Sequence, residues 1–503
     1  MTDVRDLAAA AARTSVVVVG GGMAGLVAAY ECAKVGIRVT VVEASDRVGG
    51  VLRADEIDGI VVDTGAESYA TRGGTVRALV DDLGLAGDIV TPTRGGAWVS
   101  GLPGGQAAPL PGGSLLGIPD NPWADDVRRV IGWGGAWRAY LDRLRPPLTI
   151  GHQRSLGALV RTRMGPKVLD RLVAPVTSGV YSARPDDVDV DIAAPGLNAA
   201  LTRTGSLSGA VAALKGERTS APGSAVEGID GGMARLPAAL RTRLEELGVD
   251  VRTSTAATAV RSRPEGGWLV AVDTVAAQAD PAGAAELSAD AVIVATTEAE
   301  ARRLLAPVVP GLEREDVVAP VVEVVTLVLD APALDARPRG SGVLTVPGSH
   351  IAKALTHSTA KWEWVARAAG ARHVVRVSFG AQGEAPATEG MDDADAAALA
   401  LSEASALLGV ALAPAALRGA HRQRWTQSQP ASEIGRIDRQ RAARAAIHAV
   451  PGLAAAGAWL SGTGLAQVVP DAAGEAERVR AAVLFGAPDA PSDAADDGPP
   501  SFA

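Results

Sequence analysis

The chain has 503 residues, with 48 Lys and Arg against 57 Asp and Glu for a formal charge of −9. That length accommodates two or three domains around a large core, and the acidic balance gives no global case for nucleic acid as a partner. A single cysteine, Cys32, excludes an internal disulfide framework and a cysteine-based metal cage, and six scattered histidines offer no metal-binding spacing.

In chain order, SVVVVG (15–20) is a short β-branched run broken by glycine, as a buried parallel strand reads. MAGLVAAYECAKVG (23–36) has helical spacing and closes on Gly36, and IRVTVVE (37–43) is a second strand. Together they make a βαβ unit of the doubly wound kind. VRALVDDLG (76–84) is another capped helix, and the apolar spacing of 127–201 is mainly helical. Beyond a Gly/Ser/Pro-rich link, KGERTSAPGSAVEG (215–228), helix and strand signals resume over 231–260. GGWLVAV (266–272) and DAVIVAT (290–296) are strands, and VVEVVTLVL (321–329) and HVVRVSFG (373–380) belong to a separate sheet. A last helix is expected over 472–486, ahead of a tail at 487–503 whose composition predicts disorder. No run approaches the roughly 18 apolar residues of a membrane span. The opening MTDVRDLAAAAARTS lacks a signal-peptide pattern. A cytoplasmic location is expected, with peripheral membrane contact left open.

Gly20-x-Gly22-x-x-Gly25 lies between a strand and a helix, the context a dinucleotide fingerprint requires. Gly20 serves the tight turn, Gly22 the approach of backbone to a pyrophosphate, and Gly25 close helix–strand packing. Gly21, Met23 and Ala24 complete a loop and helix start whose N–H groups face phosphate charge. Glu43 ends the second strand about twenty residues on, where it accepts from a ribose hydroxyl. Cys32, inside the helix, reads as packing.

The next residues, Glu43-Ala44-Ser45-Asp46-Arg47-Val48-Gly49-Gly50, resemble the second glycine motif of FAD-dependent oxidoreductases of the amine oxidase, phytoene desaturase and protoporphyrinogen oxidase superfamily. Arg47 offers fixed positive charge near phosphates, and Gly49 and Gly50 allow a second backbone approach. VVDTGAES (61–68), with Gly65, Ala66, Glu67 and Ser68, is similar to the segment that runs near the flavin in that superfamily. PGLAAAGAWLSGTGLAQ (451–467) resembles its returning C-terminal segment, a strand and then a helix start at Gly462, Thr463, Gly464 and Leu465. Ala257 in STAATAV matches the position whose backbone meets the adenine. The resemblance implies an α/β fold: a discontinuous Rossmann-like FAD-binding domain (1–75, 225–300 and 418–486), a substrate and helical region (76–224) and a mixed-sheet substrate domain (301–417).

The likeness narrows to the protoporphyrinogen and coproporphyrinogen III oxidases, and most to the bacterial coproporphyrinogen III oxidases. It is carried by APLPGGSLLGIPDNP (108–122), LVAPVTSGVYSARPDDVDV (172–190), GIDGGMARLPAAL (228–240), HSTAKWEW (357–364) and RWTQSQPASEIG (424–435), in the order of that family. Trp425 matches a residue lining the flavin there. Two departures stand out: Gly464-Leu465-Ala466-Gln467 where the family continues G-I-P-D, and KWEW where it has K-W-P.

Between Val127 and Arg184, eleven Lys and Arg face two acids, Asp142 and Asp170, an excess of nine positive charges. Such a stretch suits a substrate with several carboxylates, an anionic membrane surface or an acidic protein partner, and equally a solvated helical face. Coproporphyrinogen bears four propionates and protoporphyrinogen two, so the excess favours the former. Arg72, beside GAES, is the expected propionate contact, with Arg94 a second candidate. The resemblance implies hydride transfer from a porphyrinogen meso carbon to flavin N5, three cycles to the porphyrin, and O₂ as final acceptor giving hydrogen peroxide. No side chain is expected as catalytic base: His350, His357 and Lys361 read as structural or exposed. A coproporphyrin ferrochelatase is the partner this implies. Three alternatives remain: protoporphyrinogen IX oxidase; a flavin amine oxidase, for which Trp459 supplies one aromatic ring; and a non-catalytic flavin-binding protein of the haem pathway.

Overall fold

The structure, a computed structural model, describes residues 4–93, 95–145, 154–216, 226–274, 285–313, 319–426 and 434–486. Arg94, most of the 215–228 link, the middle of RWTQSQPASEIG and the tail at 487–503 lie outside the described residues.

Five parallel strands form the nucleotide-binding sheet, in the order Asp250–Arg252, Arg38–Val42, Ser15–Val19, Ala291–Val294, Leu453–Ala455. The run of valines at 16–19 is apolar on both sides because both faces are covered. Val16 and Val18 pack with the helices Met23–Ala33, Arg235–Glu246 and Leu465–Phe485; Val17 and Val19 pack with Trp268, Leu304, Ile447 and Trp459. Cys32 is fully buried and burial pushes its thiol up to about 12, so it acts as a small apolar side chain. The last helix begins at Leu465, seven residues before the expected start, and runs through Pro470. The helix start expected at 462–465 and the last helix expected at 472–486 are thus one element. Burial of Val468, Val469 and Ala472 on the sheet's helical layer offsets the one backbone bond the ring forfeits.

The second sheet has seven strands and is mixed, in the order Leu417–Thr426, Val321–Leu329, His373–Phe379, Ala354–His357, Gly342–Thr345, Ala97–Leu102, Gln106–Pro109. Only the pairing of Gly342–Thr345 with Ala97–Leu102 is parallel. Its outer face, with Val343, Leu355, Val375, Val377 and Phe379, packs on the amphipathic helix Asp393–Leu408. This sheet crosses two of the expected boundaries. Strands 97–109 join it from the region expected to be substrate-binding and helical, and 418–426 join it from the piece expected to be nucleotide-binding. Short helices between Asp125–Tyr140 and Leu207–Gly216 make a third unit with its own aliphatic core around Ile131, Leu156, Val160 and Leu172.

Candidate functional site

The carboxyl ends of the parallel strands deliver the site residues to one crevice, where open α/β sheets bind their ligands. Gly20, at φ +106°, follows the central strand, and a Cβ there would lie 2.5 Å from the Ala295 carbonyl oxygen. A Cβ on Gly25 would lie 1.9 Å from the Gly20 oxygen, so close packing of turn on helix requires hydrogen at both positions. Gly22 is different: a Cβ there would meet nothing within 4 Å. The protein itself leaves that face open. The helix Met23–Ala33 starts there, and N–H groups in its first turn have no intrahelical acceptor. Positive electrostatic potential therefore faces the gap.

The second glycine pair closes the other side. Gly49 bridges Gly22, its N–H donating to the Gly21 oxygen at 2.8 Å, and Gly50 brings its Cβ position within 3.3 Å of Gly22 Cα. Gly21 donates its own N–H to Glu43 Oε2 at 2.6 Å, while Ser45 donates N–H and Oγ–H to Glu43 Oε1 at 2.8 and 2.6 Å. Glu43 thus fixes the turn and keeps lone-pair capacity on Oε2. Ala44 is exposed beside it. Arg47 holds Asp55 at 3.1 Å, and its Nε, without a hydrogen bond, faces Asp46 at 3.8 Å. Ala257 sits at a β-bulge, with its carbonyl accepting from Arg303 at 2.9 Å.

The third segment, 64–68, lies against the seven-stranded sheet. Gly65 packs so tightly that a Cβ would be 2.0 Å from the Val51 oxygen, and Ala66 donates its N–H to that same oxygen at 2.9 Å. Glu67 receives Lys361 Nζ at 2.5 Å and Arg376 at 3.0 Å. Burial alone would raise this carboxyl, but Lys361 and Arg376 outweigh it and hold Glu67 at about 2. Arg376 also donates to the Gly65 carbonyl at 2.6 Å. Sequence reading took Lys361 as structural or exposed and did not single out Arg376. The signal for the latter was a charged residue inside the apolar alternation of HVVRVSFG. Ser68 is half-buried, just ahead of the short strand Tyr69–Ala70.

The C-terminal segment arrives beside the first glycine loop. Gly457, at φ +122°, has its Cβ position 3.9 Å from Ala24 Cβ and 3.8 Å from the Thr296 oxygen. Gly462, Thr463 and Gly464 lead into the helix at Leu465, and Gln467 Oε1 accepts the Gly464 N–H at 3.2 Å. Gln467, one of the departures from the family pattern, therefore works as a helix cap.

Other expectations fare differently. Trp425 is half-buried on an edge strand of the large sheet, opposite Val322. Arg72 is exposed on a turn and makes no ion pair among the described residues. Much of the positive excess at 127–184 is internally matched. Arg161 pairs with Asp186, Arg184 with Asp187, Arg154 with Asp189, Arg128 with Asp125 and Arg163 with buried Asp142. Arg138 and Arg171 are spent on backbone carbonyls. Four of those acids stand just outside the counted window, which is why the window looked so basic. His357 is buried, and burial, with His373 and Arg337 nearby, takes its imidazole down to about 4. His350 hydrogen-bonds Ser100 at 3.0 Å. Trp459 is only 1 % exposed, in the core of the nucleotide sheet, so it cannot present a ring to a substrate.

An open glycine face, two helix starts and the Arg47 guanidinium fit a dinucleotide with an anionic centre. Comparison with known proteins agrees. The profile of the flavin containing amine oxidoreductase family matches residues 23–484. A coproporphyrinogen III oxidase of Mycobacterium tuberculosis (strain ATCC 25618 / H37Rv) is 31 % identical, with 93 % of this chain and 96 % of that one covered. Another, from Propionibacterium freudenreichii subsp. freudenreichii, is 28 % identical over 96 % and 94 %. A crystal structure from Exiguobacterium sp. 255-15, provisionally assigned to protoporphyrinogen oxidase, superposes with a TM-score of 0.79 at 25 % identity, covering 93 % and 99 %. Putrescine oxidase shares the fold at a TM-score of 0.63 and 18 % identity, over 94 % and 99 %. The cofactor is FAD. The chain belongs to the flavin containing amine oxidoreductase family, in the group of the bacterial coproporphyrinogen III oxidases.

Proposed function

We propose that this chain oxidises coproporphyrinogen III to coproporphyrin III in haem biosynthesis, with O₂ as the electron acceptor. The observation that carries the reading is the meeting of the 64–67 segment with a separate mixed sheet through Glu67, Arg376 and Lys361. The mixed sheet is thereby fixed against the cofactor crevice. The names of the relatives supply the substrate class.

FAD supplies two-electron oxidation of a carbon–hydrogen bond when bound. The chain supplies position and field. In this reading Gly20, Gly21, Gly22, Met23, Ala24 and Gly25 cradle the pyrophosphate, Glu43 takes the ribose, and Arg47, Gly49 and Gly50 close over them. Ala257 meets the adenine, and Gly65, Ala66, Glu67, Ser68, Trp425, Gly462, Thr463, Gly464 and Leu465 surround the flavin end. No titratable side chain is needed as base, because aromatisation of the macrocycle drives loss of the pyrrole proton. Arg72 and Arg94 remain the proposed outer propionate contacts. The domain division proposed is 1–75, 225–300 and 427–486 for the cofactor, with 76–224 and 301–426 forming the substrate side.

One surface feature supports a proposed membrane contact. Trp133 and Trp137 are 64 % and 57 % exposed beside Leu141 and Leu144, and Arg129 and Arg143 flank them. Among the described residues no helix is long and apolar enough to cross a membrane. An aromatic ridge with cationic flanks suits contact with an anionic lipid surface, and a coproporphyrin ferrochelatase is the proposed recipient of product.

Anaerobic mixing with coproporphyrinogen III tests the assignment. Bleaching of the flavin band, with a higher kcat/KM than for protoporphyrinogen IX by porphyrin fluorescence, is expected. Faster turnover of the two-propionate substrate, or bleaching by a simple amine alone, overturns it.

A further inference from the structure

Lys353 is a cation inside the substrate side of the molecule with no anion to meet it among the described residues. It precedes the strand Ala354–His357, and its N–H donates to Ser378 O at 2.9 Å. Its ammonium donates to Ser182 Oγ at 2.7 Å, and it makes no ion pair among the described residues. Burial brings it down to about 8, with no neighbouring carboxylate to oppose the fall.

Lys353 stands just ahead of the strand, on the register of outward-facing Leu355, and its ammonium reaches inward through the Ser182 contact. Val343, Leu355, Val375 and Val377 point to the outer helix, so alternation turns Leu344, Thr356, Arg376 and Ser378 inward. The helix Ala174–Tyr181 covers that inner face, with the Cβ position of Gly179 2.5 Å from Leu344 Cδ2. Ser182, at φ +53°, ends this helix in a left-handed turn. On the same face, two residues along the strand from Ser378 and so about 7 Å away, Arg376 reaches the 64–67 segment. The two inward cations differ in one respect. Arg376 is neutralised by Glu67, whereas Lys353 has only a hydroxyl and the partial negative charge of a helix end. Beside them Gln382 donates its N–H to the Ser182 carbonyl at 3.0 Å, while its side-chain Oε1 is buried without a partner. With the amide turned over, which the two-fold assignment of such groups permits, Gln382 becomes a second donor lacking an acceptor.

We propose that Lys353, with Ser182 and Gln382, binds a carboxylate of the substrate, the inner propionate that sets a porphyrinogen against the flavin. This rests on the porphyrinogen reading above and adds the specificity residue to it. Two of the three ammonium protons remain for the ligand after Ser182 is served.

The test uses holoprotein carrying Lys353→Met, which keeps the length of the side chain and removes its charge. Coproporphyrin III and its tetramethyl ester are titrated by fluorescence. Expected are full flavin content, a melting temperature no lower than wild type, a dissociation constant for the free acid raised about 10- to 100-fold, and unchanged affinity for the ester. Lys353→Arg should restore part of the lost affinity. Unchanged binding of the free acid, or equal loss for acid and ester, overturns the proposal. So does failure of both Lys353→Met and Lys353→Gln to fold, since that marks the ammonium as structural. If wild-type protein binds amines and no porphyrin, it is the functional reading that has failed.

Discussion

Gly22 and Gly25 stand three residues apart in one loop yet answer to different forces. Gly25 has hydrogen because protein occupies the space a methyl would need, and Gly22 has it although that space is empty. Gly25→Ala should therefore lower the melting temperature of apoprotein and abolish flavin uptake. Gly22→Ala should leave the apoprotein's melting unchanged and weaken FAD binding by about 10-fold or more. Reconstitution titrations on both variants read this directly. Glu67 is the second residue whose energetics are exposed. Its folded value of about 2 lies below the ordinary 4.5. Its ionised form therefore stabilises the fold fully above pH 4.5, and that contribution is lost as pH falls toward 2. Glu67→Gln leaves Lys361 and Arg376 without their anion and should cost about 3 kcal/mol at neutral pH. The acid limb of its melting curve should flatten over the same window. Gly22, Gly25 and Glu43 were legible in the sequence because the turn they build is local. The role of Glu67 was not, since its two cations lie some three hundred residues further along the chain.

Among elements, the helical unit shows how far charge counting carries. Its basic excess was legible, its neutralisation was not: Asp186, Asp187 and Asp189 fold back from the next turn onto Arg161, Arg184 and Arg154. Asp142 is fully buried, pairs with Arg163 and accepts the Leu207 N–H. Asp142→Ala strands a buried guanidinium and should destabilise this unit by about 3–5 kcal/mol. Hydrogen exchange should report the loosening in 156–216 while flavin content stays normal. The βαβ opening was read correctly because hydrophobic period and glycine punctuation agree there. That the helix entry at 462–465 and the helix at 472–486 form one element was not legible, because Pro470 lies between them and tertiary burial of Val468 and Val469 carries the helix through it.

For the whole molecule, the discontinuous cofactor unit was legible from the order of its motifs. Which strands join the second sheet was not, because pairing of 97–102 with 342–345 is a long-range event without a local signal. The aromatic ridge belongs to this scale too. Replacing Trp133 and Trp137 by Ala should reduce co-sedimentation with phosphatidylserine vesicles roughly tenfold, with turnover of dissolved substrate unchanged. Equal sedimentation would rule the ridge out as the lipid contact. One consequence follows from the edge position of the strand Leu453–Ala455 and from the glycine at 457 that touches Ala24. The first and last pieces of the crevice leave the ribosome more than four hundred residues apart, so a nascent chain can form its opening βαβ unit long before it can retain the pigment. Yellow colour then marks chains extended past residue 457, and polypeptides cut short before residue 453 should be colourless and be cleared by proteolysis.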